Sequence, residues 1–188
     1  MSTRFWCDVE TRSPVPIKHG TGRYSRQAEL IVFQWAVDDG PVEVIDCTLP
    51  DWQIRVENAL VEAELADECW AHNAEFEWTV LDLATNVQTL RKIPLEKWRC
   101  TAALARMHGL PGGLDKLSEI FKLGEDEAKD KRGRELIQLF CIPKADGTYN
   151  DRHSHPRQWA EFLAYADRDV IAMRAIWKLT PQWNATPR

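Results

Sequence analysis

Two acidic clusters, one near each end of the chain, carry side chains that could do chemistry. The first is Asp8-Val9-Glu10-Thr11, and the second is Tyr165-Ala166-Asp167-Arg168-Asp169. Both lie within apolar segments, where a carboxylate is energetically costly unless it is protonated, paired or bound to a metal. Because carboxylate oxygens suit hard divalent cations, the two clusters indicate a metal-dependent enzyme.

The segment around the first cluster is predicted to form a β-strand. An apolar and aromatic run, Phe5-Trp6-Cys7, leads directly into the cluster. Since successive side chains of a strand point to opposite faces, Asp8 and Glu10 should project from one face, about 6.6 Å apart along the chain. The two carboxylates are therefore expected on the same side of a sheet.

The second cluster is predicted to lie on one long helix at the end of the chain. At about 100° per residue, Tyr165 and Asp169 fall on one edge of an apolar stripe, and Asp167 falls on the opposite edge. The helix should therefore pack on the sheet and present Tyr165 and Asp169 to a cleft beside it. The stripe has the spacing of an amphipathic helix and consists of Trp159, Phe162, Leu163, Ala166, Val170, Met173 and Trp177.

The rest of the chain supplies elements that would hold these clusters in place. The continuous apolar run 30–37 is typical of a central strand, and 42–45 should pair with it across a turn at 38–40. Asp51 is placed to cap the helix that follows it. This order of elements predicts an α/β domain with a mixed sheet. A further strand is expected over 68–72, an exposed loop over 141–156, and helices over 52–63, 76–84, 101–108, 114–123 and 133–140.

Composition limits the class of protein. With 188 residues, 44% of them hydrophobic and 28% charged, the chain fits one soluble globular domain. No apolar run approaches the roughly 18 residues of a membrane span, and no signal peptide begins the chain, so no membrane partner is expected. The five cysteines are scattered and never form a CxxC pair. They are expected to stay reduced in a cytoplasmic compartment.

The charge distribution gives a mixed indication about nucleic acid. A net charge of −5 argues weakly against a nucleic-acid binder. Clustered carboxylates account for much of this charge, however, and divalent ions would neutralise them. Each group of basic residues is either a solvated surface or a phosphate-binding surface. The groups are Lys18, Arg23 and Arg26; Lys129, Lys131, Arg132 and Arg134; and Arg152 and Arg157.

A third segment, Ala71-His72-Asn73-Ala74-Glu75-Phe76-Glu77, runs from a strand end into a helix. Together with Asp8-x-Glu10 and Tyr165-x3-Asp169, it resembles the three ordered motifs of the DEDD (DnaQ-like) 3′–5′ exonucleases, in the tyrosine subgroup. Each motif alone occurs by chance in many chains, whereas all three in this order are specific. The resemblance implies an α/β, ribonuclease H-like fold with a mixed β-sheet flanked by helices.

Four further segments narrow the resemblance to the proofreading exonuclease domain of phage and prophage family A DNA polymerases. They are Gly20-Thr-Gly-Arg-Tyr24, Trp98-Arg-Cys-Thr-Ala102, Gly109-Leu-Pro-Gly-Gly-Leu114 and Lys129-Asp-Lys-Arg-Gly133. The similarity implies an exonuclease domain over 1–180, in a phage- or prophage-encoded protein of the bacterial cytoplasm. Residues 181–188 would be a tail or the start of a linker to a polymerase domain, because Trp183-Asn184 resembles that lead-in. The implied partners are the 3′ end of single-stranded DNA and a polymerase domain, in cis or in trans.

The resemblance implies a ligand set for two Mg²⁺ or Mn²⁺ ions. In this set Asp8, Glu10 and Asp169 hold one ion, and Asp8 also contacts the second. Glu77 stands where the family usually has aspartate. Glutamate is one methylene longer, and Glu77 could reach an ion through a water molecule. The neighbouring Glu75 would point elsewhere on the helix, so Glu77 is the expected fourth carboxylate.

The resemblance also assigns residues to the substrate. Tyr165 is expected to orient the attacking water by a hydrogen bond, because a phenol is a poor base near neutral pH. Thr11 and Asn73 match positions that contact the terminal nucleotide. His72 fits a substrate role and a structural role at a strand end equally well.

Two alternatives to a single-stranded DNA exonuclease stay open. RNA-trimming relatives share the motifs, so the substrate could be RNA. The other alternative is a catalytically silent domain that binds a primer terminus or supports a polymerase. Intact Asp8, Glu10 and Asp169 argue against it, because a silent domain does not need this costly cluster.

Overall fold

A five-stranded mixed sheet, flanked by helices, forms the centre of the computed structural model. The structure describes residues 2–85, 87–123 and 131–182. The strand order of the sheet is β3-β2-β1-β4-β5. The strands β1, β2 and β3 pair antiparallel, whereas β1, β4 and β5 pair parallel. This arrangement confirms the predicted α/β fold and is consistent with a ribonuclease H-like sheet. The strands are β1 (Arg4–Arg12), β2 (Glu29–Val37), β3 (Glu43–Asp46), β4 (Glu68–Ala71) and β5 (Trp98–Cys100).

Helices cover both faces of the sheet. One face, called here the apolar face, lies under α2 and α3, and the other, called the acidic face, lies under α6, α7 and α8. Short 3₁₀ turns occur at Ile17–His19, Thr89–Lys92 and Leu95–Lys97. The helices are α1 (Thr21–Ser25), α2 (Trp52–Leu65), α3 (Ala74–Ala84), α4 (Thr101–Met107), α5 (Leu114–Phe121), α6 (Lys131–Cys141), α7 (Pro156–Tyr165) and α8 (Asp167–Leu179).

The pleat of β1 divides its side chains between the two faces. Phe5, Cys7 and Val9 are buried on the apolar face, in one continuous cluster with α2 and α3. On the acidic face, Trp6 packs against Trp70 and Trp177, with ring centroids 5.7 and 5.8 Å away. The alternating pattern of the sequence therefore places Asp8 and Glu10, which follow Trp6 at two-residue intervals, on the acidic face.

The prediction of one long helix at the end of the chain is wrong, because the segment is divided at Ala166 into α7 and α8. The apolar stripe nevertheless continues across the break, since Ala166 keeps helical dihedral angles (φ −62°, ψ −26°). The two halves pack on different parts of the acidic face. Phe162 of α7 lies in the cluster around Val32, and Met173 of α8 lies in the cluster around Trp6. Periodicity reports burial and could not detect this division.

Two smaller differences concern β5 and the start of α2. The strand β5 was not predicted, because three partly buried residues give no alternating pattern. Asp51 occupies the N-cap position of α2, but its side chain makes no capping hydrogen bond. The predicted strands 30–37, 42–45 and 68–72 are confirmed within a residue or two.

Some predictions fall outside the described residues, namely the lead-in at Trp183-Asn184 and the basic residue Lys129. All five cysteines are free thiols. Within the described residues, no helix combines the length and the hydrophobicity needed to cross a lipid bilayer.

Candidate metal centre

Three carboxylates meet on the acidic face and form what we call the acidic trio: Asp8, Glu10 and Asp169. One oxygen atom from each lies within 4.8 Å of the others, and all three side chains are partly buried. Three negative charges at this distance repel one another strongly in a partly buried site. A divalent cation offsets that repulsion, and a set of oxygen ligands suits Mg²⁺ or Mn²⁺. The residues present therefore fit the metal site expected from the sequence.

Local structure explains how distant parts of the chain form the trio. The strand pleat aligns Asp8 with Glu10, and a register shift between Glu10 and Thr11 disrupts the β1–β2 ladder immediately afterwards. Such bulges commonly re-aim side chains near functional sites. Because α8 begins at Asp167, Asp169 lies in its first turn. The positive end of the helix dipole favours a carboxylate there.

Tyr165 lines a small pocket together with Glu10 and Asp169. Tyr165 ends α7 and Asp169 belongs to α8, so the two residues reach the pocket from separate helices. The guanidinium of Arg168 lies 4.9 Å from the centre of the Tyr165 ring. Arg168 also lines the pocket, although no motif in the sequence pointed to a role for it.

Glu77 lies near Asp8 but outside the trio. It projects from α3 and is only 4% exposed, and its Oε2 atom has no hydrogen-bond partner within the described part of the chain. Burial raises the pKa of the Glu77 carboxyl well above its ordinary value, and the negative charge of Asp8 raises it further. Contact between Glu77 and a metal therefore stays a prediction. Glu75, on the same helix, is exposed.

The three residues predicted to contact substrate have different environments. Thr11 is buried, and its hydroxyl shares a 2.8 Å hydrogen bond with the Tyr24 hydroxyl. Asn73 is exposed at the N-cap position of α3. Both remain candidates for nucleotide contact.

His72 is held by two hydrogen bonds of 2.9 Å. Its Nε2 atom faces the Gly112 carbonyl oxygen, and its Nδ1 atom faces the Thr101 hydroxyl. Because a carbonyl only accepts, Nε2 must carry the proton. Both ring nitrogens thus link parts of the protein, which favours the structural interpretation of His72.

An apolar cleft of about 460 Å³ adjoins the trio at Glu10. Thr11, Tyr24 and Phe76 lie on one part of its wall, with the two rings 5.9 Å apart. We call this feature the apolar cleft. The sequence did not identify Tyr24 or Phe76 as site residues, although both lie within the quoted motifs.

Two further buried residues beside the trio were not predicted. Gln34 stands directly opposite Asp8 in the β1–β2 ladder and is fully buried. Neither polar atom of its amide has a hydrogen-bond partner among the described residues. The Cys141 thiol lies 3.9 Å from Glu10 Oε2, and burial together with the Glu10 charge raises its pKa. These contacts depend on strand register and helix packing, which a local sequence pattern does not reveal.

The chain is similar to DNA polymerases in sequence and in fold. It is 36% identical over 182 residues to the DNA polymerase of Bacillus phage SP02, an alignment that covers 90% of this chain and 26% of that protein. The family B DNA polymerase of the archaeon Pyrobaculum calidifontis shares the fold, with a TM-score of 0.51 and 14% identity over 93% of this chain and 24% of that chain. No protein-family model matches the sequence. The chain spans about a quarter of either polymerase and is homologous to one segment of a phage DNA polymerase.

Proposed function

We propose that the chain is a proofreading-type 3′–5′ exonuclease domain that works beside a DNA polymerase. The observation that carries the proposal is the acidic trio with Tyr165 in the adjoining pocket. Three ordered motifs that resemble those of the DEDD exonucleases supply these residues. Homology to a phage DNA polymerase supports single-stranded DNA as the substrate and a polymerase as the partner.

The reaction is hydrolysis of the last phosphodiester bond at a 3′ end. The oxygen of a water molecule bonds to phosphorus, and the bond from phosphorus to the upstream 3′-oxygen breaks. That 3′-oxygen takes up a proton, and a nucleoside 5′-monophosphate leaves. Asp8, Glu10 and Asp169 would hold the divalent ions, with Glu77 acting through water. When bound, such ions lower the pKa of coordinated water and neutralise charge on the phosphate.

Tyr165 has a positioning role in this proposal. Its hydroxyl would accept or donate a hydrogen bond that aims the water at phosphorus, while Arg168 packs over the ring. Correct alignment of a nucleophile can contribute several kcal/mol to a reaction barrier. Thr11, which follows Glu10 in β1, and Asn73, at the start of α3, would contact the terminal nucleotide.

The test uses 5′-labelled single-stranded DNA and RNA of the same sequence, each with Mg²⁺, Mn²⁺ or a chelator. The proposal predicts stepwise shortening of DNA from its 3′ end only when metal is present. Faster shortening of RNA would instead support the exoribonuclease alternative. Binding of the 3′ end without shortening in any metal would support the silent domain.

A further inference from the structure

The structure separates the basic groups that the sequence could not distinguish. Arg132 of α6 pairs with Glu135 and, at 2.9 Å, with Glu161, and Arg134 pairs with Asp115. Their charges are therefore largely offset within the protein. These arginines are poor candidates for phosphate contacts.

A second basic group differs, because its members have no such partners among the described residues. Lys18, His19, Arg23 and Arg26 are all exposed and lie on the turn at Ile17–His19, on α1 and just after it. We call them the basic patch. Within residues 2–85, 87–123 and 131–182, none of the four forms an ion pair with an acidic side chain. In a chain with a net charge of −5, this leaves a local positive surface.

The basic patch lies beside the apolar cleft. His19, Arg23 and Arg26 line a groove of about 420 Å³, whose other wall includes Pro14, Val15 and Pro16. The same Pro14–Pro16 segment forms part of the wall of the apolar cleft, which reaches Glu10 at its other end. The apolar cleft thus adjoins the acidic trio at Glu10 and the groove of the basic patch at Pro14–Pro16.

We propose that the basic patch binds the backbone phosphates of single-stranded DNA upstream of its 3′-terminal nucleotide. This proposal rests on the proposed function, because it takes the terminal phosphodiester bond to lie at the acidic trio. An apolar, aromatic cleft followed by a cationic groove suits bases and then phosphates along one strand. Guanidinium groups are well matched to phosphate oxygens. The patch therefore sets the direction in which the strand enters and the length that it needs for tight binding.

The test compares a double variant, Arg23→Gln/Arg26→Gln, with a matched control, Lys92→Gln/Arg157→Gln. Both remove two positive charges, and the control residues are exposed and line neither the apolar cleft nor the groove of the basic patch. Affinity for fluorescein-labelled dT12 is measured by fluorescence anisotropy at several salt concentrations, in an Asp8→Ala background that prevents degradation. We expect the patch variant to bind roughly tenfold more weakly, with the slope of log affinity against log salt reduced by about 0.7 for each phosphate that the protein no longer neutralises. The control should match the parent.

A second measurement uses the active protein and the p-nitrophenyl ester of thymidine 5′-monophosphate, which has no upstream phosphate. The patch variant should hydrolyse this ester at the parental rate, while its KM for dT12 rises. Unchanged affinity and salt slope for dT12 in the patch variant would overturn the phosphate-binding role. Failure of the parent protein to hydrolyse either substrate would instead refute the exonuclease, and the anisotropy result would still decide whether the patch binds phosphates.

Discussion

The two faces of the sheet use the same central strand for different purposes. From alternating positions, β1 contributes Phe5, Cys7 and Val9 to the apolar face, where they join one continuous buried cluster. On the acidic face, separate apolar clusters around Val32 and around Trp6 flank the carboxylates. A shift of one residue in register would exchange the two sets of side chains. Alternate residues of one strand therefore belong to the buried core on one face and to the candidate metal centre on the other.

The largest effect is expected from a substitution of Asp8. It tests whether the carboxylates of the acidic face lower the stability of the protein while they support hydrolysis. Replacing Asp8 by Ala removes one carboxylate of the trio, so hydrolysis should fall at least about 1,000-fold, or ~4 kcal/mol in the barrier. In chelator the variant should melt higher, because repulsion within the trio is relieved. Rates on labelled DNA and thermal melts measure the two effects. Turnover near that of the parent would refute the metal assignment.

Leu60 tests the opposite face. It is fully buried in α2, within the cluster on the apolar face. Leu60→Ala should lower the free energy of unfolding by about 3 kcal/mol, since it removes buried apolar groups and leaves a cavity. The rate per folded molecule should stay at the parental value well below the melting temperature. Urea denaturation measures the free energy of unfolding. Titration with Mn²⁺ gives the concentration of intact sites, to which the rate on labelled DNA is referred. A large loss of rate in fully folded protein would contradict the proposed division between the two faces.

Within the acidic face, Tyr165 and Asp169 line one pocket from two helices, and their proposed roles can be tested separately. Tyr165→Phe should slow hydrolysis by roughly 10- to 1,000-fold through loss of water positioning, with Mn²⁺ affinity unchanged. Asp169→Ala should instead weaken Mn²⁺ binding, as calorimetric titration can show. Asp167→Asn serves as the control and should alter neither quantity. If Asp167→Asn abolished hydrolysis and Asp169→Asn did not, the third motif would have been assigned to the wrong residues.

Glu77 belongs to α3, on the apolar face, but its carboxyl interacts electrostatically with Asp8 of the acidic trio. Its raised pKa means that folding favours the protonated acid. This contribution to stability is fully present below the ordinary pKa of 4.5 and is lost as the pH rises through the folded value. In chelator, Glu77→Gln should therefore match the parent near pH 4 and be more stable at pH 8. Each unit by which the pKa is raised corresponds to ~1.4 kcal/mol.

The effect of Glu77 on hydrolysis is expected to be the smallest of the series for a conservative change. If the side chain acts through water, Glu77→Asp should retain activity within about tenfold, or ~1.4 kcal/mol. Glu77→Ala should lose much more. Equal rates in the two variants, both near the parental rate, would remove Glu77 from the site.

Local patterns in the sequence were sufficient where the site depends on one element. Alternation placed Asp8 and Glu10 on one face of β1, and both belong to the acidic trio. Tyr165 and Asp169 line one pocket, but they reach it from α7 and α8 and not from the single predicted helix. The division at Ala166 escaped prediction because its backbone stays helical and the buried stripe continues. Gln34 and Cys141 also escaped, since their positions beside the trio follow from contacts between residues far apart in the chain.

The charge pattern shows the same limit. Arg132 and the residues of the basic patch look alike as clusters of basic residues in the sequence. The packing of α6 against α7 brings Glu161 to Arg132 and offsets its charge, whereas the charges of the basic patch stay exposed. This difference is visible only in the structure.

The buried amide of Gln34 has a consequence for protein engineering. An unpaired amide in the interior costs about 1–3 kcal/mol compared with an apolar side chain of similar shape. A library of variants screened only for heat resistance should therefore accept Met or Leu in place of Gln34, and Asn in place of the neighbouring Asp8. The most heat-resistant clones from such a screen should therefore often lack the Asp8 carboxylate of the acidic trio.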